Sequence, residues 1–295
     1  MIIELFKSRI MKKLRKGKYK VKNWGEYNKS LKDRGDITFW LSEDALENWE
    51  IQDSVTRTRG RQIKYSKVAL ETMYTLRQIF NLRLRQTEGF TRSLLKIMRV
   101  NLPVPDYTTV SRRIRKLPID FVYRKPNGRI NVILDSSGIK VLGEKEWINY
   151  KYGLRQRKIW RKLHIGVTDD GSIIAGEVTT LRDSDIATVP KLLSQIPNDI
   201  NNIVGDGAYH RKRMLEYIEQ QQNIKDAKFV GPPKKSAKPY GNRLKVEETF
   251  SRYKRIIGNK FKAQNFLGQQ YEAKLSLLIL NKMMAIGMPK TIRIA

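Results

Sequence analysis

Cysteine is absent from this chain, which excludes disulfides, thiolate metal sites and a thiol nucleophile. Acidic residues are in short supply: 29 Asp+Glu stand against 59 Lys+Arg, a formal charge of +30. A compact body with that excess repels itself unless a polyanion neutralises it, so nucleic acid is the expected partner. Long apolar runs are also lacking. The longest, Leu275 to Met288, is interrupted by Asn281 and Lys282 and is too short to span a bilayer, so a membrane is not expected as the partner. The opening Met-Ile-Ile-Glu-Leu-Phe turns basic without an apolar stretch of secretory length, which together with the missing cysteines fits a cytoplasmic protein. No internal repeat is present.

What is there suffices for a full core and suggests two. The chain has 295 residues, 40% hydrophobic and 9% aromatic. Residues 1–63 read as a basic arm followed by a short helix. From Phe6 to Lys32 the segment carries Trp24 and Tyr27 among basic residues, and part of it is expected to order on DNA. Ser42 and Glu43 open the short helix through Leu46 and Trp49, and Arg57 to Lys64 reads as a charged linker.

Residues 64–126 read as all-α. A helix begins at Ser66, with Val68, Leu70, Met73, Leu76, Ile79, Phe80 and Leu82 at three- and four-residue spacing, and Phe90, Leu94, Leu95, Ile97 and Met98 mark a second. Asp106 caps a third, Tyr107 to Leu117, before Pro118. Its outer side carries Arg112, Arg113, Arg115 and Lys116, and Val110, Ile114 and Leu117 form its buried side. Three short helices ending in a basic, hydroxyl-rich one suit a helix-turn-helix-like module whose last helix reads DNA. Small bundles with a basic outer helix and no such role also fit this pattern.

After Pro126-Asn127-Gly128 the period changes. Ile130 to Asp135 reads as a strand with Asp135 at or near its carboxyl end. Trp160 to Val167 and Ser172 to Thr179 form a hairpin about Asp169-Asp170-Gly171. Asp185 to Ser194 is helical. Asn202 to Gly207 is a short strand ending in Asp206, followed by a helix from Arg211 to Gln220. Ala227 to Val230 is a fifth strand, and Tyr271 to Met288 is a closing helix. Residues 127–295 therefore predict an α/β domain, a mixed five-stranded sheet covered by helices.

The remaining stretch, Tyr240 to Lys254, reads as a helix from near Asn242 to Gly258. At about 100° per residue, Tyr240, Arg243, Glu247 and Lys254 fall within about 60° of one another. Val246, Phe250, Tyr253 and Ile257 form the adjoining apolar face, and Glu248 points away from both. A lone glutamate on a basic helix is ordinarily solvated and paired with lysine. Here two aspartates on neighbouring strands change the reading. Adjacent central strands would bring Asp135 and Asp206 together, with Glu247 opposite. Converging carboxylates need neutralisation, and hard oxygen donors favour Mg²⁺ or Mn²⁺. Two such ions suit phosphodiester chemistry.

Tyr240-x-x-Arg243-x-x-x-Glu247 followed by Lys254, with Ile-Leu-Asp135-Ser-Ser-Gly, Val-Gly-Asp206-Gly-Ala-Tyr and Trp-Arg-Lys-Leu-His164, resembles the DDE transposases of bacterial insertion sequences, the insertion sequence 5 family in particular. The likeness extends upstream to Trp24-Gly-Glu-Tyr27 and Arg34-Gly-Asp-Ile-Thr-Phe-Trp40. The resemblance implies an RNase H-like catalytic core, two divalent metal ions, hydrolytic nicking at transposon ends and strand transfer into target DNA. Asp135, Asp206 and Glu247 would be catalytic metal ligands, and Tyr240, Arg243 and Lys254 would hold the DNA beside them. Glu247 follows Asp206 by 41 positions, which leaves no room for the large inserted domain of some relatives. The expected partner is double-stranded DNA, as transposon ends and target, engaged by a homodimer that handles two ends.

Lower-ranked residues complete the picture. Lys158 and Arg161, with Arg155, Arg157 and Lys162, form a phosphate-binding stripe. Asp183 and Asp185 read as cap and surface, His164 as a packed core histidine, His210 as a possible DNA contact, and Trp147 and Trp160 as packing. The competing functions are a non-catalytic DNA-binding regulator and an RNase H-like nuclease without strand transfer.

Overall fold

The computed structural model describes residues 18–51, 63–119, 121, 128–141, 159–207, 209, 216, 227–231 and 243–294. In chain order these give β1 (Lys18–Val21), α1 (Trp24–Asp33), α2 (Glu43–Glu47), α3 (Lys67–Ile79), α4 (Leu84–Ile97), α5 (Tyr107–Arg113), β2 (Ile130–Val141), β3 (Trp160–Val167) and β4 (Ile173–Thr180). There follow α6 (Asp185–Leu193), β5 (Ile200–Val204), β6 (Lys228–Val230), α7 (Leu244–Ile256), β7 (Lys260–Phe261), α8 (Phe266–Ile286) and β8 (Thr291–Ile294). The chain divides into two units, one of residues 1–39 with 282–295 and one of residues 40–281, the second of the two boundaries falling within α8. Most of the linker from Arg57, the expected turn at Pro126-Asn127 and nearly all of the expected helix from Arg211 to Gln220 lie outside the described residues, as do His210 and Trp147.

In the larger unit the sheet is mixed, in the order β4-β3-β2-β5-β6, with β7 pairing the far end of β2. β3 runs antiparallel to both β2 and β4. β5 runs parallel to β2 and to β6. The expected count of five strands omits β7, a two-residue strand whose Lys260 and Phe261 pair Lys140 and Val141. A second correction concerns β2 itself. It does not end at Asp135 but runs on to Val141, so Asp135 sits in mid-strand. Pairing explains the extension: from Ile133 to Lys140 every residue of β2 is matched across β3, and β7 supports the last two positions.

Alternation along β2 sorts its side chains between two faces. Val132 and Leu134 are fully buried in a cluster with Val189, Leu192, Leu193, Ile200, Ile203 and Tyr209. Asp135 and Ser137 belong to the other face, the one met by α7. Gly176 allows α8 to seat on β4, since a Cβ at that position would collide with Leu277.

The helices upstream follow their caps. Ser42 accepts from Ala45 N at the start of α2, Ser66 from Ala69 N at the start of α3, and Asp106 from Thr108 N and Thr109 N at the start of α5. The third helix is shorter than expected, α5 passing into a 3₁₀ turn over Ile114–Lys116. In the smaller unit β1 pairs β8 antiparallel. Of the basic segment from Phe6 to Lys32, the described part contains β1 and most of α1.

Candidate active site

α7 begins after Arg243 and ends where Gly258, at φ +120, turns the chain and donates its N–H to Tyr253 O. Its apolar face docks as the wheel predicts, with Val246 fully buried, Phe250 and Tyr253 buried, and Ile257 partly so. Glu248 points to solvent beside Lys245, to which it pairs at 3.5 Å. The helix is fastened to β2 by Lys254, whose Nζ donates to Ser137 Oγ at 2.7 Å.

At the start of the helix, about three turns before Lys254, Arg243 faces two of the expected acids. Its Nη2 lies 3.8 Å from Asp135 Oδ2 and its Nε lies 3.8 Å from Glu247 Oε1. The Asp135 side chain is only 15% exposed, whereas Glu247 is 53% exposed. Asp206 follows Val204 by two positions, as Asp135 follows Ile133, and Ile133 and Val204 are directly paired. The parallel register thus carries both aspartates to one level of the sheet. Burial holds the Asp135 carboxyl above its ordinary value, and the charges of Asp206 and Glu247 push it the same way. The Ser136 N–H, 2.9 Å from Oδ1, and the Arg243 guanidinium oppose that rise.

Among the described residues, no group of three or more His, Asp or Glu side chains is closed enough to grip a metal ion. The guanidinium of Arg243 stands between Asp135 and Glu247 instead. Asp135, which feels the charges of both Asp206 and Glu247 and shares Arg243 with Glu247, is nevertheless part of a hard-oxygen donor set suited to a divalent cation. Tyr240 and Lys158 lie outside the described residues.

Two family profiles, each described as "Transposase DDE domain", match residues 32–144 and 126–282, the second covering more than half of the chain. The chain belongs to the DDE transposase family. It is therefore an enzyme acting on DNA, and the family implies dependence on a divalent metal. Among solved structures, that of a piggyBac transposase synaptic complex with hairpin DNA is similar at 8% identity, over 85% of this chain and 74% of that one, with a TM-score of 0.37. No helix among the described residues is long and apolar enough to cross a membrane.

The basic side chains of the transposase divide into exposed and engaged ones. Arg112 and Lys116 are exposed. Arg113 donates to Tyr65 O at 2.7 Å, and burial lowers its pKa. Arg115 folds back on Ser111 O at 2.7 Å. Arg161 donates to Gln269 Oε1 at 2.8 Å and lies over the Phe266 ring at 5.3 Å. These three side chains brace the fold in this state.

Sequence reasoning missed the support on the opposite face of β2. Asp185 is not a surface acid: at 19% side-chain exposure it accepts from Lys162 Nζ at 2.9 Å, and Ser136 Oγ lies 3.4 Å away. Ser184 takes the cap, accepting from Ala187 N. The network fixes the residue next to Asp135 from behind, and the only signal for it in the sequence is an acid at a helix start.

His164 pairs with Ser136 across the strands and is fully buried, its Nε2 2.8 Å from Thr179 Oγ1. Burial lowers its pKa to about 4. The fold therefore holds the neutral ring, and the unfolded chain takes up the proton first as pH falls. Stability is present above about pH 6.5 and is lost as pH falls towards 4, about 3 kcal/mol over that window. Urea midpoints measured at pH 7 and pH 4.5 should show this loss, and His164→Gln should flatten it.

Proposed function

We propose that the chain is an insertion sequence transposase, of the insertion sequence 5 type and bacterial in origin. On this reading Asp135, Asp206 and Glu247 hold Mg²⁺ or Mn²⁺, two ions in number, in an RNase H-like core. The observation that carries the reading is the shared electrostatics of the three acids. Asp135 lies on β2, Asp206 just past the end of the adjacent β5 and Glu247 on the docked α7; the latter two act on Asp135, and Arg243 bridges Asp135 and Glu247. Divalent ions held there would activate water or a 3′-hydroxyl and stabilise the leaving oxygen of the phosphodiester.

The chain's own groups do the rest. Asp135 is held rigidly by β3 on one side and by the Asp185 network behind. Glu247, half exposed on α7, is the movable donor. In a DNA complex Arg243 would contact a phosphate beside Lys254 of the same helix, with Tyr240 of the sequence motif as a further contact. Residues 64–126 precede this domain as the DNA-reading module, with Arg112 and Lys116 as exposed cations. Two ends require two active sites, which we assign to a homodimer on DNA acting in the cytoplasm.

The test is a joining reaction. Inverted repeats flanking the gene define the end duplex, which is incubated with the full chain, Mg²⁺ and a target plasmid. The expected product is a covalent end–target joint. Nicked ends that are never joined would assign a nuclease instead, and sequence-specific binding without scission would assign a regulator.

A further inference from the structure

The smaller unit carries a surface that the active site does not use. β1 and β8 pair in the register Tyr19↔Arg293, Lys20↔Ile292 and Val21↔Thr291, and Lys22 N continues the ladder to Lys290 O at 2.8 Å. Residues directly opposite across an antiparallel pair share a face. One face of this ribbon thus presents Lys20, Lys22 and Lys290, all exposed, beside Ile292 and Ile294, which are 49% and 43% exposed. Tyr19 and Trp24, at 67% and 59%, extend the exposed surface around it. Neither strand contains an acid. Among the described residues, none of the three lysines is ion-paired.

The ribbon is also held firmly. Asn23 brackets its root, donating from Nδ2 to Met288 O at 3.1 Å and accepting from Lys290 N at 2.7 Å. Arg34 Nη2 donates to Gly287 O at 2.6 Å, and a Cβ on Gly287 would press on Ser30 at 2.8 Å. A surface fixed in advance loses little freedom when a partner docks.

We infer that the β1–β8 ribbon is a DNA-binding surface of its own, which grips duplex DNA through the phosphates without regard to sequence. A two-stranded ribbon fits the major groove of a duplex. The lysine head groups reach backbone phosphates as point charges, and the isoleucines cover sugar and groove edges. With its lysines engaged on phosphates as point charges and no Asn or Gln to pair with base edges, the face positions and does not specify. The inference rests on the DNA-acting reading above and adds a second contact, formed by the two ends of the described chain together.

The test uses the full chain and a random-sequence duplex, with affinity measured across a range of KCl concentrations. Loss of three phosphate contacts lowers the slope of log K against log salt by about 2.7, at about 0.9 per contact. The triple variant K20Q/K22Q/K290Q should show that fall and bind about 100-fold more weakly near physiological salt. The charge-preserving K20R/K22R/K290R should restore both. Preference for an end-containing duplex over the random one should not change. An unchanged slope in the glutamine variant would overturn the inference, as would a loss confined to the end-containing duplex. So would loss of retention on phosphatidylserine vesicles with DNA affinity intact. End cleavage by the wild-type chain in Mg²⁺, assayed in parallel, reports separately on the proposed function.

Discussion

Asp135→Asn should abolish Mg²⁺-dependent cleavage and joining of end-containing DNA while leaving DNA binding intact. The expected loss is on the order of 1,000-fold or more, about 4 kcal/mol in the barrier. The size follows from the position of the side chain. Asp135 is the most enclosed of the two acids that Arg243 bridges, and it sits in mid-strand where neither backbone nor neighbour can move to replace it. Asparagine matches its shape but brings no charge to a divalent ion. Its neutrality also removes the cost of holding a buried, crowded carboxylate, so the metal-free variant should unfold at a urea concentration no lower than the wild type. Retained joining by the variant would remove Asp135 from the site. Lost binding would mean that the substitution acts through the fold.

The second large effect is on stability. Glu272 on α8 is buried to 3% side-chain exposure, and its carboxylate accepts from Lys262 N at 2.9 Å and Ala263 N at 2.8 Å. It also faces Arg77 Nη1 of α3 at 3.9 Å, a guanidinium itself only 5% exposed and stacked 4.6 Å over Tyr74. Glu272→Ala leaves a buried cation without its counter-charge and two backbone N–H groups without their acceptor. The expected cost is about 3–5 kcal/mol, read as a lower urea midpoint. Replacing Arg77 and Glu272 together by apolar residues should recover the part of that loss due to the buried cation, because the desolvation of the pair disappears with it, but not the part due to the two backbone N–H groups. The network ties α3 to the loop after β7, and β7 is the strand that supports the end of β2. Weakening it should therefore loosen the strand that bears Asp135.

The sequence made α7, its apolar face and the outward Glu248 legible, because a helical wheel needs no tertiary information. Caps were legible for the same reason at Ser42, Ser66 and Asp106. Asn265 was overlooked: its side chain accepts from Gly268 N at 2.8 Å, so α8 starts at Phe266, earlier than the apolar pattern suggests. What local patterns could not give were the long-range pairings. The length of β2 is set by partners in β3 and β7, and Ser137, a small polar residue with no signature, becomes the anchor of Lys254 only through the fold. β1 and β8 lie at opposite ends of the chain, and four-residue strands carry too little periodicity to announce a partner. For the site, spacing and residue type singled out the acids. The bridging position of Arg243 and the half-buried Asp185 behind Ser136 required coordinates.

The most direct measurement is anomalous scattering from Mn²⁺ in crystals of the chain bound to an end duplex. Peaks coordinated jointly by Asp135, Asp206 and Glu247, with Arg243 drawn away towards a DNA phosphate, are the predicted result. Manganese bound elsewhere, with Arg243 still lodged between Asp135 and Glu247, would contradict the account.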